Sequence, residues 1–287
     1  MAARPRTLPA AIAPVLVGTA AAVEASTDFR FGVFVAALIG SIFIQIGTNL
    51  ANDYSDAKRG ADSADRLGPV RVTSAGLIAP RRVLHATWLA FAVAVAAGVY
   101  MATVAGPLIL AVGAASILAG VLYTGGPRPY GYAGMGELFV FLFFGLVAVN
   151  GSYYVQLEEL DVVPFVLSVA AGLLATAIIV VNNIRDIETD RRAGKRTLAV
   201  RIGRERTRVL YVALLAGAFV ALGLAPLLTE APAEILLALL SAPLALGPLR
   251  AVRTRTDGPS LNRALAGTGA LLGAFSALLS AGLLLGV

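Results

Sequence analysis

Nine apolar stretches of roughly bilayer-crossing length divide this chain, at residues 8–24, 31–52, 83–101, 106–123, 135–155, 163–183, 208–228, 235–250 and 261–286. A helix of about 20 apolar residues matches a hydrocarbon layer roughly 30 Å thick, so the spacing predicts nine spans. Composition agrees: of 287 residues, 58% are hydrophobic and 14% charged, and the mean hydropathy is +0.81. An ordinary water-soluble domain is excluded. The 30 glycines suit close helix packing in lipid, where small residues let backbones approach. The expected fold is an all-α bundle of nine transmembrane helices around a central cavity open to the cytoplasmic side. The absence of cysteine removes disulfides, thiolate metal sites and thiol nucleophiles, and the one histidine, His85, cannot build a histidine metal site alone.

With the N-terminus in the cytoplasm, alternation puts segments 53–82, 124–134, 184–207 and 251–260 inside, and 25–30, 102–105, 156–162 and 229–234 outside. Of the 23 Lys and Arg, only Arg30 then falls outside, whereas Glu24, Asp28, Glu158, Glu159, Asp161, Glu230 and Glu234 do. This positive-inside pattern accounts for the +6 net charge and the pI near 10 by orientation, so membrane lipid is expected as a partner and nucleic acid is not. The chain reads as integral to the cytoplasmic membrane of a prokaryote. Arg4 and Arg6 before an apolar run ending in AVEAS resemble a cleavable secretory signal. Removing that span would invert the charge sorting, so a retained helix is expected.

Acids at span ends require a reason in a membrane chain. The second span leaves the membrane through NLANDYSDAKRGAD, carrying Asn49, Asn52, Asp53, Asp56 and Asp62; the sixth leaves through VVNNIRDIETDRRAGKRT, carrying Asn182, Asn183, Asp186, Glu188, Asp190, Lys195 and Arg196. On continuing helices, Asn52 and Asp56 share one face, as do Asn182, Asp186 and Asp190. Stacked carboxylates repel unless a cation lies between them. The two sets superimpose with an offset of 130, Asn52 on Asn182, Asp56 on Asp186 and Gly60 on Asp190, which reads as a single domain with a pseudo-repeat of about 1–133 and 134–287. Two facing acidic ends suit Mg²⁺, which takes carboxylate oxygens and bridges them to phosphates. Arg66, Arg71, Arg128, Lys195 and Arg196, on the same face, suit the outer oxygens of a departing diphosphate. The bland alternative is a solvated fringe of surface ion pairs, which has no reason to repeat its spacing.

These residues resemble the UbiA-type intramembrane prenyltransferase superfamily, and within it the branch that prenylates 1,4-dihydroxy-2-naphthoate for menaquinone. The resemblance rests on RPRTLPAAIAPVLVG at 4–18, NLANDYSDAKRGAD at 49–62 with RLGPVR at 66–71, YTGGPRPYGYAGMGE at 123–137 and NNIRDIETDRRAGKRTLAVRIG at 182–203. It covers the first two thirds of the chain. The superfamily's first motif, Asn-x-x-x-Asp-x-x-x-Asp, matches at Asn52 and Asp56 but has Gly60 in third place, with the acid at Asp62 instead. That departure looks like the naphthoate branch and makes Asp56 a stronger ligand candidate than Asp62. After RLGPVR the chain reads VTSAGLI, without the glutamine of many relatives.

The resemblance implies a mechanism. A polyprenyl diphosphate lies with its tail among the helices and its diphosphate between the acidic ends, where Asp53, Asp56, Asp186 and Asp190 hold Mg²⁺ with Asn52 beside them. Lys195, Arg128 and Arg71 neutralise the leaving group, and Asn49, Asp62, Arg66, Asn182, Asn183 and Arg196 complete the substrate pocket. The naphthoate ring attacks the allylic carbon and loses CO₂, giving demethylmenaquinone. Tyr123, Tyr130 and Tyr132 read equally as substrate contacts and as interfacial aromatics. Glu137 reads equally as a helix N-terminal charge and as an acceptor contact. His85 reads as interfacial, with a general base as the alternative, and Trp88 and the phenylalanines of FVFLFF at 139–144 as packing or lipid-facing groups, with a lining of the isoprenoid tunnel as the alternative for the latter. Alternatives are a relative using hydroxybenzoate, homogentisate or a sugar phosphate as acceptor, a cation-coupled carrier, and a non-catalytic scaffold in which the acidic motifs are surplus.

Overall fold

The computed structural model describes residues 4–61, 67–68 and 70–286. Asp62 and Arg66 therefore lie outside the described residues. Nine apolar helices are found among the described residues: α1 (Pro9–Ser26), α2 (Phe31–Lys58), α3 (Pro80–Ala105), α4 (Leu108–Leu122), α5 (Gly136–Leu157), α6 (Val162–Arg192), α7 (Leu198–Leu228), α8 (Ala233–Thr254) and α9 (Gly258–Leu285). Eight are long and apolar enough to cross a membrane; α4, with 15 residues, is the short one. At 1.5 Å per residue it rises about 22 Å, less than the hydrocarbon thickness.

The packing divides into two parts. The larger core joins α1, α6, α7, α8 and α9 through residues such as Val17, Leu167, Leu174, Leu222, Leu271 and Phe275. Small clusters hold the α2–α3–α4 side, among them Leu50, Val72 and Val83 at the end that carries the acidic motifs. A cavity of about 290 Å³ lies between the two, walled by α1 to α6. Close backbone approach sets its frame. A Cβ at Gly18 of α1 would run into the Val149 carbonyl of α5, and one at Gly145 would come within 2.7 Å of the Gly172 Cα of α6.

Helix ends differ from the apolar boundaries where polar residues continue the turn. The second helix runs on to Lys58 and the sixth to Arg192, beyond the expected 52 and 183, because polar residues past those points, Asp53 and Asp56 in α2 and Arg185 and Asp186 in α6, are buried in protein and not left in water. The seventh begins at Leu198, not 208, with a kink at Gly203, whose φ of 78° suits a residue without Cβ. Two local departures follow other causes. The fifth helix contains a π-helical stretch, Phe141–Val147, and the eighth starts as a 3-10 stretch, Ala233–Ala245, with Pro243 inside, which removes one amide donor.

The close approach at Gly18 generates a test. Gly18→Ala should cost about 1–3 kcal/mol by overpacking against main chain, while Gly273→Ala, whose new methyl meets nothing within 4 Å, should be neutral or slightly stabilising. Thermal unfolding in detergent separates them; equal melting points would remove the packing constraint.

Candidate active site

Both acidic helix ends converge. Asp56, at the last turn of α2, is 1% exposed. Its Oδ2 accepts from Lys195 Nζ and from Arg71 Nη2, each at 3.0 Å, and its Oδ1 from the Tyr132 hydroxyl at 2.8 Å. Lys195 also lies 4.8 Å from the centre of the Tyr132 ring, a cation–π contact. One carboxylate thus joins α2 to the α2–α3, α4–α5 and α6–α7 connections. On α6, Asp186 is gripped by its neighbour: Arg185 Nε donates to Oδ1 at 2.8 Å and Nη2 to Oδ2 at 2.6 Å. Arg185, buried and 2% exposed, also donates to Asn182 Oδ1 and to Asn262 Oδ1 of α9, and Asn262 donates in turn to the Leu67 carbonyl.

These groups wall a polar cavity of about 50 Å³, lined among others by Arg4, Asn52, Asp56, Arg71, Tyr123, Tyr132, Asn182, Asn183, Asp186, Asp190 and Lys195. Arg4, Asn52, Tyr123 and Asn182 also line the larger apolar cavity, so the two meet at these residues. Burial, and for Tyr123 the nearby acids Glu137, Asp190 and Asp56, push the Tyr123 and Tyr130 hydroxyls well above the usual phenol range. Both stay protonated near neutrality and present donors to an anion.

Other expected residues take different places. Asp53 is buried, but its two oxygens accept from the backbone amides of Val72 and Thr73 at 3.1 and 3.0 Å, so it fastens the connection that carries Arg71. Asn49 donates to Thr7 Oγ1 at 3.4 Å and lines the apolar cavity. Arg128 and Arg196 are exposed and line neither cavity, so the structure does not bring them into the site. His85 and Trp88 are exposed. The FVFLFF phenylalanines are a correction: Phe139, Phe143 and Phe144 line the apolar cavity. The wider π turn adds a residue per turn, keeping Phe143 and Phe144 on the same side as Phe139. Tyr123, Tyr130, Phe139 and Phe143 follow one another at centroid distances of 5.5, 4.0 and 6.1 Å.

Sequence reasoning missed Arg185, Asn262 and Arg4 as site residues. Arg185 carried the one available signal, a basic residue between Asn182 and Asp186 inside a buried acidic motif; nothing local marks Asn262. As donors for a divalent cation, Asp56, Asp186, Asp190 and the neighbouring amide oxygens are hard oxygen ligands. Among the described residues no three His, Cys, Asp or Glu form a ready cage. That arrangement fits Mg²⁺, which keeps several waters and takes one or two carboxylates together with phosphates.

The UbiA prenyltransferase family matches residues 11–279. The chain belongs to that family. It is 47% identical over 267 residues to a 1,4-dihydroxy-2-naphthoate octaprenyltransferase of Mycobacterium tuberculosis, covering 93% of this chain and 90% of that protein. A protein of the same name from Escherichia coli is 40% identical over 279 residues, covering 94% and 90%. The fold also matches the solved structure of a UbiA homolog from Archaeoglobus fulgidus bound to DMAPP and Mg²⁺, at a TM-score of 0.64 and 17% identity, over 98% of this chain and 97% of that one.

The role of Asp53 as a fastener is checked by limited trypsin digestion. Asp53→Ala should speed cleavage after Arg71 about ten-fold, in line with the roughly 1.5 kcal/mol or more of a charge-assisted bond, and Asp53→Asn should fall between it and wild type. Equal rates for the three proteins would show that the segment is held otherwise.

Proposed function

We propose that this protein transfers a polyprenyl group from its diphosphate to 1,4-dihydroxy-2-naphthoate, releasing CO₂ and diphosphate and giving the quinol form of demethylmenaquinone, with the site on the cytoplasmic face. The observation that carries the reading is the junction of a carboxylate- and cation-lined pocket with an apolar, aromatic-lined cavity in one chain. The names of the relatives from M. tuberculosis and E. coli supply the acceptor, and the DMAPP and Mg²⁺ of the A. fulgidus structure support the donor and the metal. The single domain is read as two related halves, each contributing one acidic helix end.

In this reading the isoprenoid tail occupies the apolar cavity and its diphosphate the polar one. Asp56, Asp186 and Asp190 are the residues that would hold Mg²⁺, with Asp53 keeping the neighbouring connection in place. When bound, Mg²⁺ offsets the charge that grows on the departing diphosphate. Lys195 and Arg71 donate to the same oxygens, and the neutral hydroxyl of Tyr123 adds a donor where the two cavities meet. As the allylic C–O bond breaks, its electron pair leaves with the diphosphate. The ring carbon bearing the carboxylate attacks the allylic carbon, and the bond to the carboxylate then breaks, returning its pair to the ring as CO₂ departs. The Tyr130–Phe139–Phe143 row lines the apolar cavity beside Tyr123, where its aromatic faces would stabilise positive charge and exclude water.

The basic residues clustered with the site argue for the cytoplasmic side. A direct assay combines purified protein, Mg²⁺, a series of polyprenyl diphosphates and carboxyl-labelled naphthoate. Labelled CO₂ should appear together with a prenylated quinol identified by mass; hydroxybenzoate and homogentisate should yield no product. Chelation with EDTA should stop the reaction, and Asp56→Ala or Asp186→Ala should each slow it by about a hundred-fold or more, comparable to the loss of one preorganised electrostatic contact. Faster transfer to hydroxybenzoate, or full turnover in EDTA, would overturn the assignment.

A further inference from the structure

Asn182 and Asn183 are adjacent on α6 and are held by partners of opposite charge. Arg185 has only donors, so Asn182 accepts through Oδ1 at 2.8 Å and its NH₂ is the end left over. Glu137, in the first turn of α5, accepts from Asn183 Nδ2 at 2.8 Å. The amide of Asn183 is thereby turned the other way, with Oδ1 as the end left over. No described residue donates to that oxygen, and Asn183 lines the polar cavity. Glu137 itself is 7% exposed, lines neither cavity, and has one oxygen, Oε2, without a hydrogen-bond partner. A buried acid kept in that condition is out of reach of a substrate and in contact with the residue that is within reach.

A carbonyl oxygen presented to the polar cavity has no use for a diphosphate, whose oxygens are acceptors too. It pairs with a cation or with a water that the cation polarises. We propose that Asn183 supplies a neutral oxygen to the divalent cation of this site, directly or through a bound water, and that Glu137 is the positioning residue that turns this oxygen inward. The proposal deepens the prenyltransferase reading and rests on its requirement for a divalent cation. It also gives the two asparagines different roles. Asn182, at the junction of the cavities, offers NH₂ to the diphosphate side, and Asn183 offers C=O to the metal side.

The test uses Mg²⁺ alone, without diphosphate or acceptor. The purified protein in detergent is unfolded thermally across a Mg²⁺ titration. Wild type should show saturable stabilisation, and Asn183→Leu and Glu137→Leu should each raise the half-saturating Mg²⁺ about ten-fold, the effect typical of groups that orient metal ligands. The double variant should be no worse than Asn183→Leu. Glu137→Gln should stay within about two-fold of wild type, since its amide oxygen still accepts from Asn183 and only the charge is gone. In the turnover assay, raised Mg²⁺ should restore Glu137→Leu by lowering the apparent KM deficit, with kcat near wild type. No saturable Mg²⁺ effect in wild type, an unshifted Asn183→Leu, additive losses, or Glu137→Gln as impaired as Glu137→Leu would each overturn the proposal. Should Glu137→Leu fail to fold, Asn183→Leu and Glu137→Gln decide the matter. Because no prenyl donor or acceptor is present, the titration stands or falls separately from the product analysis that tests the reaction.

Discussion

A carboxylate sealed at the end of a membrane helix needs a counter-charge, and Asp56 has two. Its pairing with Lys195 and Arg71 is the fastening on which the rest of the site depends. Removing one partner of such a buried pair commonly costs about 3–5 kcal/mol, because the other charge is then stranded. Here the partners come from different connections, so the attraction that holds Asp56 also draws those connections over the helix ends. Arg185 does the equivalent for Asp186 and extends the tie to α9 through Asn262. These acids are therefore held individually by cations and do not form a bare cluster, which keeps the pocket electrically balanced before any ligand is bound.

Beneath that charged rim the environment changes within one helical turn. Arg4, Asn52, Tyr123 and Asn182 belong to both cavities, and below them the walls become alanine, glycine and aromatic rings. Such a boundary orders an amphipathic ligand end to end with no need for a dedicated clamp: the charged head cannot descend, and the hydrocarbon tail does not rise.

Much of this was legible in the chain. The hydropathy pattern located the helices because lipid leaves the backbone no alternative, and the repeated Asn and Asp spacing located both acidic ends. Asp56, Asp186, Lys195 and Arg71 line one polar cavity. What escaped was set by tertiary partners. Asp53 is a motif acid in sequence, yet its oxygens are taken by the Val72 and Thr73 amides, a fact that depends on how the following connection folds back. Arg128 and Arg196 have the right charge and the wrong direction. The phenylalanines of α5 were read as packing or lipid-facing groups, and the π stretch brings Phe144 to the face that Phe139 and Phe143 share. The helix ends beyond 52 and 183 escaped because the apolar pattern stops at the first polar residues, whereas Asp56 and Asp186 continue the helices, buried against tertiary partners.

The meeting of Gly145 with Gly172 fixes part of the cavity wall. Where two main chains touch, there is no rotamer to adjust and no side chain to trim, so the spacing of α5 and α6 at that level is rigid. Room for a longer or shorter guest has to be gained by exchanging the rings that project from α5 into the lumen. At that level the room in this cavity is set by a few aromatic side chains, while the main chains around them stay put.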